Sequence, residues 1–238
     1  MKITTLTLFP EMYEGIINNS IIARAKANNI VDLAFVNIRD FSKDKFKHVD
    51  DTPFGGGAGM VMKCESVIDA LNSIKEKNSY VILMSPHGKP YNQAKARELS
   101  KKDNLILIAG HYEGMDYRIN KYIDEEISIG DYILTGGEIA SMAIIDSVVR
   151  LLDGAINSES INEESFENGL LEYPQYTQPR NFNGEEVPEV LLSGNHAKIK
   201  EYRHLQSLLI TREKRPDLFE KYELSEKEKI LLERWENE

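Results

Sequence analysis

The chain has 238 residues, 41% of them hydrophobic and 29% charged, and a net charge of −10. This length admits one large domain or two small ones. No apolar run approaches the roughly 20 residues of a membrane helix, so no membrane association is expected; the lone cysteine, Cys64, excludes an intramolecular disulfide and fits a cytoplasmic protein.

The N-terminal "MKITTLTLFPEM" alternates as a strand does, over 3–9, and lacks the apolar core and cleavage site of a signal peptide. "NSIIARAKANN" (19–29) predicts a helix capped by Asn19 or Ser20, and "IVDLAFVNI" (30–38) a strand. In 64–77, Val67, Ile68, Leu71 and Ile74 fall at helical spacing. "YVILMS" (80–85) is an apolar strand followed by a loop, "NQAKARELSKK" (92–102) a helix, and "LILIAG" (105–110) and "EEISIGD" (125–131) further strands. A helix spans 138–152. Apolar strands separated by helices imply a parallel sheet covered on both faces.

The composition changes after Leu152. Residues 153–172 are polar, acidic and rich in Gly, Asn and Ser, and read as a linker or mobile loop. No further strong strand follows. Helices are expected over 195–215 and over 225–237, the second capped by Ser225. The expected organisation is an α/β domain over 1–152, a linker over 153–172 and a helical domain over 173–238.

An acidic surface argues against nucleic acid as a partner. The charge is uneven, however. Lys198 to Arg215 holds six Lys/Arg against two Glu, and Arg39 to His48 holds four Lys/Arg against two Asp, whereas Leu151 to Pro179 has six acids and no Lys or Arg. Such basic islands read either as solvated surface or as a local footprint for a polyanion.

Three Gly-bearing loops leave the carboxyl ends of the expected strands: 85–90 "SPHGKP", 110–116 "GHYEGMD" and 130–138 "GDYILTGGE". Open α/β sheets bind ligands at that edge. The nucleotide fingerprints are missing. Met60 and Met62 stand where a G-x-G-x-x-G run starting at Gly55 or Gly57 needs its last glycine, and the Walker pattern is absent. Glu113, Asp131 and Glu138 would repel a pyrophosphate and suit an uncharged or cationic ligand such as S-adenosylmethionine. The helix over 138–152 is apolar almost all round and reads as a buried or subunit-interface element. Arg150, four residues after Asp146, is either half of an ion pair or a functional cation.

The stretches "DDTPFGGGAGMVMK" (50–63), "LMSPHGK" (83–89), "GHYEGMD" (110–116), "IDEEISIGDYILTGGE" (123–138) and "PEVLLSGNHAKI" (188–199) resemble the bacterial tRNA (guanine-N1)-methyltransferase family, in order and over essentially the whole chain. The resemblance implies a SPOUT-type α/β fold whose parallel sheet carries a deep trefoil knot, where the residues alone favour an unknotted doubly wound sheet. It implies a homodimer with an active site shared between subunits, and methylation of N1 of guanosine 37, next to the tRNA anticodon. Leu83, Ser85, Pro86, Gly110, Tyr112, Gly114, Ile129, Gly130, Tyr132, Leu134, Gly136 and Gly137 would then hold S-adenosylmethionine, with Glu113 meeting its polar end.

The same resemblance assigns Arg150 to the charge growing on guanine O6 and a carboxylate in the linker to the N1 proton. The family pattern Glu-Asp-Ser-Phe reads "EESF" here, so that base would be Glu164, one methylene longer, with Glu163 as the alternative. Gln178 stands where Arg is general, Gln175 where His is frequent, and Ala58 where Pro is usual. Gly55, Gly56, Gly57, Ser193, Asn195, His196, Lys198 and Arg203 would contact tRNA, the alternative for the later ones being helix capping and solvated surface. Magnesium has been associated with the family; the sequence shows no cluster at metal-ligand spacing. Two rival readings stay open: a methyltransferase of the same fold acting on another RNA position, such as a ribose 2′-oxygen, and a non-catalytic RNA-binding module.

Overall fold

The structure, a computed structural model, describes residues 1–157 and 163–237. The chain forms two compact units divided between residues 158 and 159. Part of the segment expected as a linker, 158–162, lies outside the described residues.

The first unit is built on a five-stranded sheet of order β2-β1-β6-β5-β7: β1 (Lys2–Thr7), β2 (Asp32–Asn37), β5 (Ser79–Pro90), β6 (Asn104–Ala109) and β7 (Glu125–Ser128). All neighbouring strands run parallel. Short strands β3 (Asp50–Asp51) and β4 (Val61–Met62) pair antiparallel beside it. Side chains alternate between two cores, as the period-2 pleat requires. Ile3, Ile82, Met84, Leu105, Leu107 and Ile127 face one core; Leu6, Val81, Leu83, Ile106 and Ile108 face the other. Helices α1 (Glu14–Ile17), α2 (Ser20–Ala27), α4 (Gln93–Leu99) and α5 (Glu138–Val149) lie in order along the chain, with α3 (Cys64–Ile74) between β4 and β5. Ile22 and Ile144 close the first core and Val67, Ala70 and Leu71 of α3 the second. Every residue of β6 is buried, and each buried Leu or Ile there contributes about 1.5–3 kcal/mol.

The expected strands and helices are present, with differences that have local causes. Asn19 precedes α2 without capping it: its amide donates instead to Gly15 O at 2.8 Å. Residues 85–90, expected as a loop, belong to β5. The strand bulges after Met84 and returns, so that Lys89 and Pro90 pair with Ile127 and Ser128. Gly88 lies so close to β7 that a Cβ would collide with the Ile127 backbone.

In the second unit, β8 (Asn181–Phe182) and β9 (Glu185–Glu186) form a small hairpin that the sequence reading passed over. Its signal was the Asn183–Gly184 pair, which adopts the positive φ values, 54° and 94°, of a tight hairpin turn. Helices α6 (Glu189–Leu192), α7 (His196–Lys214), α8 (Pro216–Phe219) and α9 (Glu226–Glu236) follow. Asn195 caps α7 by accepting from Lys198 N, and Ser225 caps α9 in a capping box with Glu228. Leu170, from the end of the segment expected as a linker, is buried with Leu205, Leu208 and Leu232, and Leu171 N donates to Thr211 Oγ1 at 2.8 Å.

Candidate active site

The bulged stretch of β5 and the carboxyl ends of β6 and β7 open into a cavity of about 390 Å³. Every residue that the resemblance places against a cofactor lines it: Leu83, Ser85 and Pro86 from β5, Gly110, Tyr112, Glu113 and Gly114 after β6, and Ile129, Gly130, Tyr132, Leu134, Gly136 and Gly137 after β7. Among the described residues no Lys or Arg lines it, while Glu113 and Glu126 do. The electrostatics therefore disfavour a pyrophosphate and admit a neutral or cationic ligand. The sequence reading missed His87, His111, Met115 and Thr135 in the same wall, although all four lie in the three Gly-bearing stretches it marks.

Two glycines set how closely the loops approach. Gly137 N donates to Gly110 O at 2.7 Å. A Cβ on Gly137 would stand 2.8 Å from Ala109 Cα and 2.9 Å from Gly110 N. Gly136 forms a bridge with His111, and a Cβ there would collide with the side chains of both Glu138 and His111. Only glycine lets the second loop lie flat on the first. The loop after β6 is tied in turn to the Gly-rich hairpin: Met62 N donates to Gly114 O at 2.9 Å and Glu113 N to Met60 O at 3.0 Å. Tyr112, held at φ 62°, accepts a hydrogen bond from Arg39 Nη2 at 3.2 Å.

Glu138 corrects the simple reading of the loop acids. It is 2% exposed, beneath the cavity wall rather than facing a ligand across water. Thr7 Oγ1 donates to its Oε1 at 2.8 Å, and His111 Nδ1 is 3.8 Å from its Oε2. Ser141 shares a 2.6 Å hydrogen bond with the Tyr13 hydroxyl. Burial, against the pull of that bond, pushes the Tyr13 phenol well above its ordinary range. Tyr13 thus stays a neutral hydroxyl that positions the start of α5. Burial also pushes the Cys64 thiol up, away from the thiolate that a nucleophile requires.

Arg150 is the half-buried residue that ends α5 in the first unit. The Asp146–Arg150 spacing falls on the edge of that helix, with Asp146 exposed. Glu164 is half-buried in the second unit, in a turn where Glu167 N donates to Glu164 O at 3.3 Å. Glu163 is exposed and accepts from the Tyr173 hydroxyl at 2.8 Å.

The expected tRNA contacts divide into two groups. Gly55, Gly56 and Gly57 sit in the exposed β3–β4 loop with φ of 91°, 80° and 129°, a conformation that side chains rarely adopt. Ser193, Asn195, His196 and Lys198 are exposed around the start of α7. Ser193 Oγ donates to Val190 O at 2.7 Å, so its hydroxyl and the Asn195 amide are already engaged in capping. Arg203 is half-buried with its guanidinium 4.7 Å from the Tyr173 ring centroid, so part of its charge is spent inside the unit. Among the described residues, no group of three or more His, Cys, Asp or Glu side chains could hold a metal ion, and no helix is long and apolar enough to cross a membrane.

Residues 1–221 match the family model described as tRNA (guanine-1)-methyltransferase TrmD. The chain is 57% identical to the tRNA (guanine-N(1)-)-methyltransferase of Carboxydothermus hydrogenoformans, over 98% of this chain and 92% of that protein. It is 55% identical to the protein of that name from Clostridium perfringens and 54% identical to the one from Clostridium botulinum strain Langeland, over 98% of this chain and 99% and 97% of theirs.

Proposed function

The chain belongs to the tRNA (guanine-1)-methyltransferase family, and on that premise we propose that it transfers a methyl group from S-adenosylmethionine to N1 of guanine 37 of tRNA. The observation that carries the reading is the cavity between the bulge of β5 and the ends of β6 and β7, walled by glycine-dependent loops and free of lining Lys or Arg among the described residues. S-adenosylmethionine, when bound there, supplies an electrophilic methyl group on a sulfonium.

The chain's own residues do the rest. Backbone groups of Gly110, Tyr112, Gly136 and Gly137 hold the adenosine part, and the Glu113 carboxylate meets the amino-acid end. Guanine N1 carries a proton and is a poor nucleophile until that proton leaves. Glu164 takes the proton onto its carboxylate, and the Arg150 guanidinium steadies the negative charge that grows on O6. The extra methylene of Glu164 is absorbed by its own side-chain torsions.

In this reading, 1–152 is a knotted cofactor domain, 153–172 a linker carrying the acid, and 173–238 a helical tRNA-binding domain. The enzyme works in the cytoplasm as a homodimer with a shared site. Ile133 and Ile139, 85% and 53% exposed beside the cavity, supply apolar surface for a second subunit to cover.

The test is methyl transfer from labelled S-adenosylmethionine to tRNA transcripts with G or A at position 37. Labelling of the G transcript alone is expected. Labelling of both would point to a ribose or another position, and labelling of neither to a binding module; either result rejects the reading.

A further inference from the structure

We infer that the second unit carries a docking pocket for an unstacked nucleobase of the tRNA, with Trp235 as its stacking platform. The inference rests on tRNA being the substrate. The pocket, of about 290 Å³, lies between α6, α7 and α9. It falls just short of the roughly 300–1,000 Å³ of sites that enclose a whole small ligand, which suits one ring system of a larger partner. Leu205, 8% exposed, and half-buried Leu231 provide apolar surface. Tyr202 and Trp235 supply flat faces, and Trp235 is left 45% exposed. Val190, Glu201, Lys198 and Arg234 complete the lining, two cations against one carboxylate.

Charge favours RNA over an apolar partner as the occupant. The chain carries −10 overall, so a polyanion approaches only where cations are concentrated. Within Lys198–Arg215, Arg212, Lys214 and Arg215 pair with Glu236, Glu213 and Asp217 and Arg203 lies over Tyr173, which leaves the open cations at the start of α7, where Lys198 lines the pocket. The Lys198 ammonium has no acidic partner among the described residues. Arg234 Nη1 stands 3.5 Å from Glu201 Oε1 with both side chains 61% exposed. So open a pair is worth little, and the guanidinium is free to turn to a phosphate. Unpaired RNA bases are taken up by aromatic faces flanked by cations, and duplex RNA is not.

Trp235 is the only tryptophan of the chain, so its emission reports on this pocket alone. The full-length protein is titrated with the tRNA transcript, with a fully paired RNA duplex and with S-adenosylmethionine. Saturable quenching by tRNA, and much less by the duplex or the cofactor, is expected. Trp235→Ala should raise the KM for tRNA about tenfold, the loss of one stacked base, with kcat and the KM for S-adenosylmethionine held and Trp235→Phe restoring most of the affinity. Emission unchanged by tRNA, equal quenching by duplex, or a Trp235→Ala protein that changes sedimentation instead of KM would overturn the proposal. Quenching is read without catalysis, so absence of methyl transfer in the wild type would fail the functional reading separately. Should Trp235→Ala not fold by circular dichroism, the unaltered protein's titration decides.

Discussion

Gly137 packs its α-carbon against the end of β6, with no room for a methyl group. Gly137→Ala must push the loop off Gly110 and break the 2.7 Å bond between them. Overpacking of this kind costs about 1–3 kcal/mol. We expect a lower melting temperature and weaker S-adenosylmethionine binding by calorimetry; unchanged affinity would show that the loop contact does not shape the cavity. Glu164 is tested differently. Glu164→Gln keeps size and loses basicity, so cofactor binding should persist while turnover falls by about 10²–10⁴-fold. Glu163→Gln should leave turnover nearly intact, because that carboxylate serves the Tyr173 hydroxyl. If the two effects are exchanged, the proton acceptor is Glu163. Residue types and their order sufficed to mark the cavity wall. They did not mark Glu138 as buried beneath it, since burial depends on where Thr7, 131 residues away in the chain, is brought by the sheet.

Among the helices, α9 shows how a terminal cap becomes an acid-sensitive lock. Glu228 is buried, which by itself would raise its pKa. Hydrogen bonds from the Ser225 hydroxyl and N–H, from Tyr222 and from His204 outweigh burial and hold it at about 2, below the ordinary 4.5. A folded-state pKa below the unfolded one means stability that is present above about 4.5 and is lost as pH falls toward 2. We expect denaturant melts of the second unit, followed by Trp235 emission, to weaken across that window. Glu228→Gln should be less stable at pH 7 and flat across it; an unaltered acid transition in the variant would exclude Glu228 as its source. Ser225 followed three residues later by Glu228 made this cap legible in advance. The bulge of β5 was not, because "SPHGKP" carries ordinary turn residues and the partners of Lys89 and Pro90 in β7, Ile127 and Ser128, each lie 38 residues further along the chain.

On the scale of the molecule, α5 is the element whose meaning a single chain leaves incomplete. Ser141, Ile144, Ile145, Val148 and Val149 are buried, while Ile139 is 53% exposed and Ala143 exposed on the opposite side. A second subunit is proposed to cover that side. Sedimentation should give a dimer at micromolar concentration, and Ile139→Glu should give a monomer with methyl transfer strongly reduced. A fully active monomer would refute the shared site. The sequence by itself determined the alternation of strands and helices, the caps at Asn195 and Ser225, and the absence of phosphate-binding patterns, because periodicity, capping and motif spacing are local properties of the chain. Only the tertiary structure decided that a strand bulge and two loops close on one cavity, that Glu138 is buried under it, and that Leu170 joins a core with Leu205, Leu208 and Leu232. Those outcomes depend on contacts between residues far apart in sequence, whose energy exists only once the sheet and helices have brought them together.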